Sequence, residues 1–376
     1  MQHSREAIVD VFKTVGCLAI ILHHLAFYGP MADVVRDAWP SVAAWAVDAL
    51  NTHGRAAVYG FLVVGGFLAA RALAPDPTRC SPTRAPKGLL RAIILRYARV
   101  APAAWVAIVA AILAAAVARN WFVHEATPAP ASLSQIIAHL FLLQDILGMD
   151  GLSAGLWYVA VDFQLYLLFA FLVNALAGRR AGVDLRAVIL LLALIGWAML
   201  ARFSALDAFG VYFVGAYLLG VLAAWVPTGA AGVLADARQR TIGWLMLLVP
   251  CAVALLSVPR FRTALAVVLA ILLVLRPAAS ILRHRLWRVG SDLSYAAFVI
   301  HYPVCLTVNA AVSRWAGEHP WLNLAGLISA VLLSYAAALV LDRAVAWLNL
   351  PARLRRWMGS SDGGSSATLA TSAVRS

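Results

Sequence analysis

Apolar runs of about 20 residues, each bounded by charge, glycine or proline, recur almost from one end of this chain to the other. No other feature constrains the fold as strongly. A run of that length matches the hydrocarbon thickness of a bilayer, and inside a bilayer the backbone must satisfy its own hydrogen bonds, which a helix does. Ten spans can be marked, at about 8–28, 55–74, 98–118, 155–177, 186–202, 207–226, 241–258, 263–280, 293–313 and 322–348. Of the 376 residues 63% are hydrophobic and only 12% charged, far from the composition of a soluble domain. The expected fold is therefore all-α, a polytopic membrane helical bundle of about ten transmembrane helices. One further apolar segment, 136–147, is about a dozen residues long and carries His139, Gln144 and Asp145, so it is expected to lie at the interface or re-enter rather than cross.

Thirty Lys and Arg against seventeen Asp and Glu give a net charge of +13. In a soluble protein this would point to nucleic acid; in this chain the basic residues sit in short loops between apolar runs, where membrane topology accounts for them and no nucleic-acid partner is expected. Arginine-rich loops follow the second span (Arg79, Arg84, Lys87, Arg91, Arg96), the fourth (Arg179, Arg180, Arg186), the sixth (Arg238, Arg240) and the eighth (Arg283, Arg285, Arg288), and Arg353, Arg355 and Arg356 follow the tenth. The intervening loops hold fewer: Arg36, Arg119, Arg202, the pair Arg260 and Arg262, and Arg314. That alternation predicts both termini in the cytoplasm of a multi-pass protein, in a bacterial inner membrane. The first run has no small-residue cleavage site after it and reads as a signal-anchor. Residues 1–358 are expected to form one membrane-embedded domain, and 359–376, rich in Gly, Ser, Ala and Thr, a disordered tail. Cys17, Cys80, Cys251 and Cys305 lack the spacing of a metal site, so neither a disulfide framework nor a metal is expected. No P-loop, dinucleotide fingerprint or solenoid repeat is present.

Polar side chains inside spans are costly and point to function by default. In the first span Asp10, Lys13 and His24 fall on one stripe, with His24 about 16 Å along the axis from Lys13. That face offers a cation for an anionic ligand and, deeper, an imidazole able to act as a base near neutral pH; an Asp10–Lys13 pair plus a His bonding a neighbouring helix is the structural alternative. Arg96 and Arg99, one turn apart ahead of Pro102, form a fork suited to phosphate, or simply mark a cytoplasmic helix end. In the fourth span Trp157, Tyr158, Asp162 and Tyr166 occur together, and a carboxylate at that depth should be neutral or paired with a His or Arg of another span. In the ninth, Ser294 and His301 share a face and Pro303 frees a backbone carbonyl nearby.

The order of these motifs resembles the acyltransferase 3 family of integral membrane acyltransferases. Asp10, Lys13 and His24 are similar to its opening pattern, and Tyr59 through Gly65, Gly66 and Phe67 resembles its Phe-rich stretch ending in Ser-Gly-Phe. Arg96, Arg99 and Pro102 resemble its paired-arginine element; Trp157, Asp162 and Tyr166 its Trp, Glu and Tyr element; and Ser294, Tyr295, His301 and Pro303 its Ser-Tyr, His and Pro element. Gly65 replaces the usual Ser, so no acyl-serine can form there, and Asp162 replaces the usual Glu. The resemblance implies transfer of an acyl group, often acetyl, from cytoplasmic acyl-coenzyme A to a hydroxyl of a carbohydrate or lipid-linked glycan of the cell envelope. On that basis His24 is expected as general base, Asp162 and His301 as orienting or polarising catalytic groups, and Lys13, Arg96 and Arg99 as ligands of the donor. Trp157, Tyr166, Ser294 and Tyr295 are expected to line the substrate path. A transporter with an intramembrane His and Asp proton relay is the competing reading.

Overall fold

The computed structural model describes residues 6–75, 87–121, 127–176, 184–228, 235–277 and 280–363. Among them every regular element is helical, with no strand. Eight helical segments are long and apolar enough to cross a membrane, and the two remaining expected spans are met by shorter apolar helices, Gly210–Trp225 and Phe261–Leu275. Every marked run thus holds a helix among its described residues. The segment expected to stop short does so: a helix over Leu133–Leu140, opened by a capping box of Ser132 and Gln135, gives way to turns.

In chain order the helices are α1 (Ala7–Phe27), α2 (Pro30–Ala38), α3 (Val42–His53), α4 (Ala57–Leu73), α5 (Lys87–Trp121), α6 (Leu133–Leu140) and α7 (Leu156–Leu176). They continue as α8 (Leu185–Ala198), α9 (Val214–Trp225), α10 (Ala237–Ser257), α11 (Phe261–Leu275), α12 (Arg285–Trp315), α13 (Pro320–Leu348) and α14 (Leu350–Gly363). Helices α2 and α3 occupy a stretch expected as a loop. The local signal is Pro30 in the first turn of α2, where its missing N–H costs nothing.

Cross-links between helices give their directions. Glu6, just ahead of α1, pairs with Arg71 at 2.6 Å and lies 3.5 Å from Arg276, so α1 begins where α4 and α11 finish. At the other end of α1, His23 binds the Leu50 carbonyl of α3 at 3.0 Å and packs on Gly54, ahead of α4. Helices α1 and α12 run parallel with nearly constant offset: Thr14 lies beside Gly290, Cys17 bonds the Ser294 carbonyl at 3.4 Å, and His24 meets His301. Helix α13 returns antiparallel, with Gly326 against Met31 near its start and Tyr335 bonded to Cys17 further on. Both described ends of the chain therefore lie at one end of the bundle, called below the near end, and His24 lies toward the far end.

The tightest crossing is between α4 and α9. A Cβ on Gly66 would come within 1.9 Å of the Tyr217 carbonyl oxygen, and one on Gly220 within 1.8 Å of that of Val63. Reciprocal glycines let the two backbones touch, the usual device where lipid removes the hydrophobic drive between helices. Cys17, Cys251 and Cys305 are buried free thiols. Cys80, the loop residues Arg79, Arg84, Arg179 and Arg180, and tail residues 364–376 lie outside the described residues, whereas α14 extends through 359–363 of the segment expected as a tail.

Candidate active site

The parallel register of α1 and α12 brings His24 and His301 together. His24 Nδ1 lies 2.6 Å from His301 Nε2, and the rings meet edge to edge and close to parallel, with centroids 4.9 Å apart and an interplanar angle of 17°. Both are buried, at 7% and 0% exposure. Which atom carries which proton follows from the third partner: His301 Nδ1 is 2.8 Å from the Phe298 carbonyl oxygen. A carbonyl can only accept, so His301 carries its proton on Nδ1 and, when neutral, offers a lone pair on Nε2. His24 must then donate from Nδ1, which leaves the lone pair of its Nε2 free. The accepting carbonyl belongs to Phe298, one residue before that of Val299, which Pro303 frees from the helix ladder. His23 points elsewhere, toward Leu50, and serves the anchoring of α3.

A second polar pair lies between α5 and α7. Asp162 of α7 forms an ion pair with Arg96 of α5, and the Arg96 guanidinium also sits over the Tyr166 ring, 5.0 Å from its centroid. The carboxylate expected to need a partner has found an arginine rather than a histidine. Arg96 Nε is buried and has no hydrogen-bond partner, so the pair retains one donor to spend. Asp162 fits because Gly65 faces it: a Cβ at that position would stand 2.8 Å from Asp162 Oδ1. Both departures from the family's usual residues thus meet at one contact. Tyr158, one turn before Asp162, packs edge-on against Phe298 at 5.1 Å, and Phe298 lies 6.1 Å from the His301 ring, which links the two pairs through aromatic side chains.

A family model described as an acyltransferase domain, Acyl_transf_3, matches residues 6–343, nearly the whole chain. The chain belongs to the acyltransferase 3 family. No curated protein matches it, and no solved structure does. Membership makes it an acyl-transferring enzyme carried on membrane helices, and the transporter reading gives way to it.

The other residues expected to act in this acyltransferase are distributed along the axis. Lys13 is half-buried on α1, about 16 Å from His24. Arg99 is exposed on α5, and the packing of α14 on α5 brings Arg355 into electrostatic range of it. Trp157 stands at the far-end start of α7 with the Arg55 guanidinium 4.9 Å above its ring. Ser294 Oγ donates to the Ser291 carbonyl at 2.8 Å and the Tyr295 hydroxyl to the Val100 carbonyl at 2.7 Å, so both hydroxyl protons are spent on helix backbone. Among the described residues no group of three or more His, Cys, Asp or Glu could hold a metal ion. Sequence reasoning missed Arg55 and Arg262, which line a cavity at the far end. Their one sequence signal was position: Arg262 in a loop of the series poorer in arginine, and Arg55 at the very start of a marked span.

His139 is accounted for by structure. Its Nδ1 donates to the Gln135 carbonyl at 2.8 Å and its Nε2 accepts the Leu152 N–H at 3.0 Å, so a neutral imidazole ties the short α6 segment to the turn after it. Burial holds the protonation of this ring below the ordinary imidazole range.

Proposed function

We propose that this protein is an O-acyltransferase of the bacterial inner membrane, with both termini cytoplasmic, that moves an acyl group, acetyl foremost, from cytoplasmic acyl-coenzyme A to a hydroxyl of a carbohydrate or lipid-linked glycan of the cell envelope. The observation that carries this reading is the one-way order of hydrogen bonds from His24 through His301 to the Phe298 carbonyl, which leaves His24 Nε2 as an unprotonated base in a buried site. The acceptor hydroxyl gives its proton to His24 Nε2 as its oxygen attacks the thioester carbonyl carbon. A C–O bond forms, the C–S bond breaks, and the departing coenzyme thiolate takes the proton. His301 orients His24 by accepting its Nδ1–H and stabilises the imidazolium that forms without taking the proton, the part played by the third member of a triad. Gly65 offers no serine for an acyl-enzyme at that position, and on this reading the transfer is direct.

Donor binding falls to cations that lie toward the near end. Arg99, with Arg355 beside it, and Lys13 meet the phosphates of the coenzyme as charge-assisted partners. Arg96, held by Asp162, offers its free Nε–H to an oxygen of the donor. Tyr166 and Trp157 border the path at its two levels, and Ser294 and Tyr295 keep α12 in place beside it. The test is coenzyme A release from acetyl-coenzyme A by membrane vesicles given a crude envelope-glycan extract, beside vesicles carrying His24→Ala at equal expression. Release that depends on extract and disappears in the variant is expected; full release by an inserted His24→Ala would remove His24 from the reaction.

A further inference from the structure

The far end of the bundle holds a cavity of about 430 Å³, within the range of small-molecule sites. It opens where α4, α7, α9 and α11 begin, and three arginines line it: Arg55, Arg260 and Arg262. Asp207 is the one carboxylate among its lining residues, and among the described residues none of the three arginines has a carboxylate within ion-pair distance. Topology does not explain them, since arginines favour the cytoplasmic loops, and these three, from two separate segments, converge at the end where the loops are otherwise poor in them.

Their settings are built rather than accidental. Arg262 lies over the Tyr59 ring at 5.0 Å and donates to the Tyr212 hydroxyl at 3.2 Å, while its buried Nε has no partner. Arg55 lies over Trp157 at 4.9 Å. Arginine stacked on an aromatic face is fixed in direction and keeps its N–H edge available, the geometry that suits planar oxyanions. Like charges gathered in a partly dry cavity repel one another until an anion joins them. The cavity also adjoins the histidine pair: Gly54, the residue before Arg55, packs on His23, and Trp157 continues through Tyr158 and Phe298 to His301.

We propose that this cavity is an acceptor subsite for an oxyanion, a carboxylate or phosphate carried by the glycan, so that the enzyme acylates an acidic saccharide rather than a neutral one. The aromatic walls hold a sugar ring while the arginines fix its charged substituent, and a neighbouring hydroxyl is thereby directed toward His24. This assignment rests on the acyl-transfer reading for its purpose but not for its test, which measures binding alone.

Full-length protein in nanodiscs of zwitterionic lipid is dialysed to equilibrium against an oligohexuronate, a phosphorylated oligosaccharide and a neutral oligosaccharide of equal length. At least one of the two acidic probes is expected to bind at least about 10-fold more tightly than the neutral one, and Arg55→Gln and Arg260→Gln each to weaken it by about 10-fold or more, as loss of a charge-assisted hydrogen bond does. Arg55 and Arg260 are both exposed, so neither substitution disturbs the core. His24→Ala should bind as the wild type does. Equal binding of acidic and neutral probes, or indifference to the arginine substitutions, overturns the proposal. Displacement of the saccharide when the nanodiscs contain an anionic phospholipid also overturns it, because the cavity would then be a lipid headgroup site. Absence of coenzyme A release with binding intact would instead fall on the acyl-transfer reading.

Discussion

Replacing His301 by Ala leaves His24 in place but removes the acceptor of its Nδ1–H. In the intact protein that bond is 2.6 Å long and closed off from water on both sides, His301 being fully buried. A buried donor left without a partner costs about 1–3 kcal/mol. His24 can escape the cost by moving its proton to Nε2, but the atom that must accept the acceptor's proton is then occupied. The competent tautomer falls to between about one-fifth and one-hundred-and-fiftieth of its former population, since each 1.36 kcal/mol is tenfold. Coenzyme A release by vesicles should drop by that factor in His301→Ala, against a loss of about 10²- to 10⁴-fold for removing the base itself in His24→Ala. His301→Gln supplies both a carbonyl oxygen for His24 Nδ1–H and an amide N–H for the Phe298 carbonyl, and should recover much of the loss. Amounts of inserted protein and melting temperatures are measured alongside, so that loss of folding is recognised. An His301→Ala as inactive as His24→Ala, with no recovery by Gln, would refute the tautomer argument and make His301 a participant in its own right.

Asp162→Asn leaves Arg96 facing an uncharged amide; a buried pair broken on one side costs about 3–5 kcal/mol, and because the Arg96 side chain is 25% exposed a loss of about 2 kcal/mol is expected. Arg96→Met in the same chain should restore part of it in thermal unfolding in detergent, and a single variant as stable as the wild type would show that the pair contributes nothing. Gly66→Ala places a Cβ 1.9 Å from the Tyr217 carbonyl oxygen, so α4 and α9 must part; a destabilisation of about 1–3 kcal/mol, the range for overpacking, is expected, and an unchanged melting temperature would count against so close a crossing. The His139 imidazole is held below its ordinary range by burial, so the folded segment binds fewer protons than the opened one. Its stability is full above the ordinary imidazole range and declines as pH falls through that range toward the lower folded value. Backbone amides of 133–152 should exchange faster at pH 5 than at pH 7 after correction for intrinsic rates, and His139→Gln should remove the difference; equal protection at both pH values would contradict the assignment.

The membrane helices were legible because a span announces itself by length: eight helical segments are long and apolar enough to cross, and the two remaining marked runs hold shorter apolar helices. Helices α2 and α3 were not, since their apolar residues are too few to span and the packing that folds them, of Met31 on Gly326 and His23 on Leu50, joins residues far apart in sequence. Asp162 illustrates the boundary. That it needed a partner follows from the cost of a lone carboxylate in the membrane, but that the partner would be Arg96 depends on the packing of α5 on α7, which no spacing encodes. The stripe on α1 singled out His24, but its meeting with His301 required the register between α1 and α12. Arg260 and Arg262 were visible as a pair of loop charges and Arg55 only as the first residue of a span, and only folding shows that the three converge.

The near-constant offset between α1 and α12 has a mechanical consequence. Thr14 also donates to the Trp287 carbonyl at 3.0 Å, so contacts from one end of the pair to the other are set by the same register. Sliding by a single turn, about 5.4 Å, would break all of them at once, so the two helices form a splint. The register that holds the two helices also fixes the separation of the two imidazoles. On the proposed reading, any opening that admits a donor from one end and an acceptor from the other falls to parts of the bundle outside this pair.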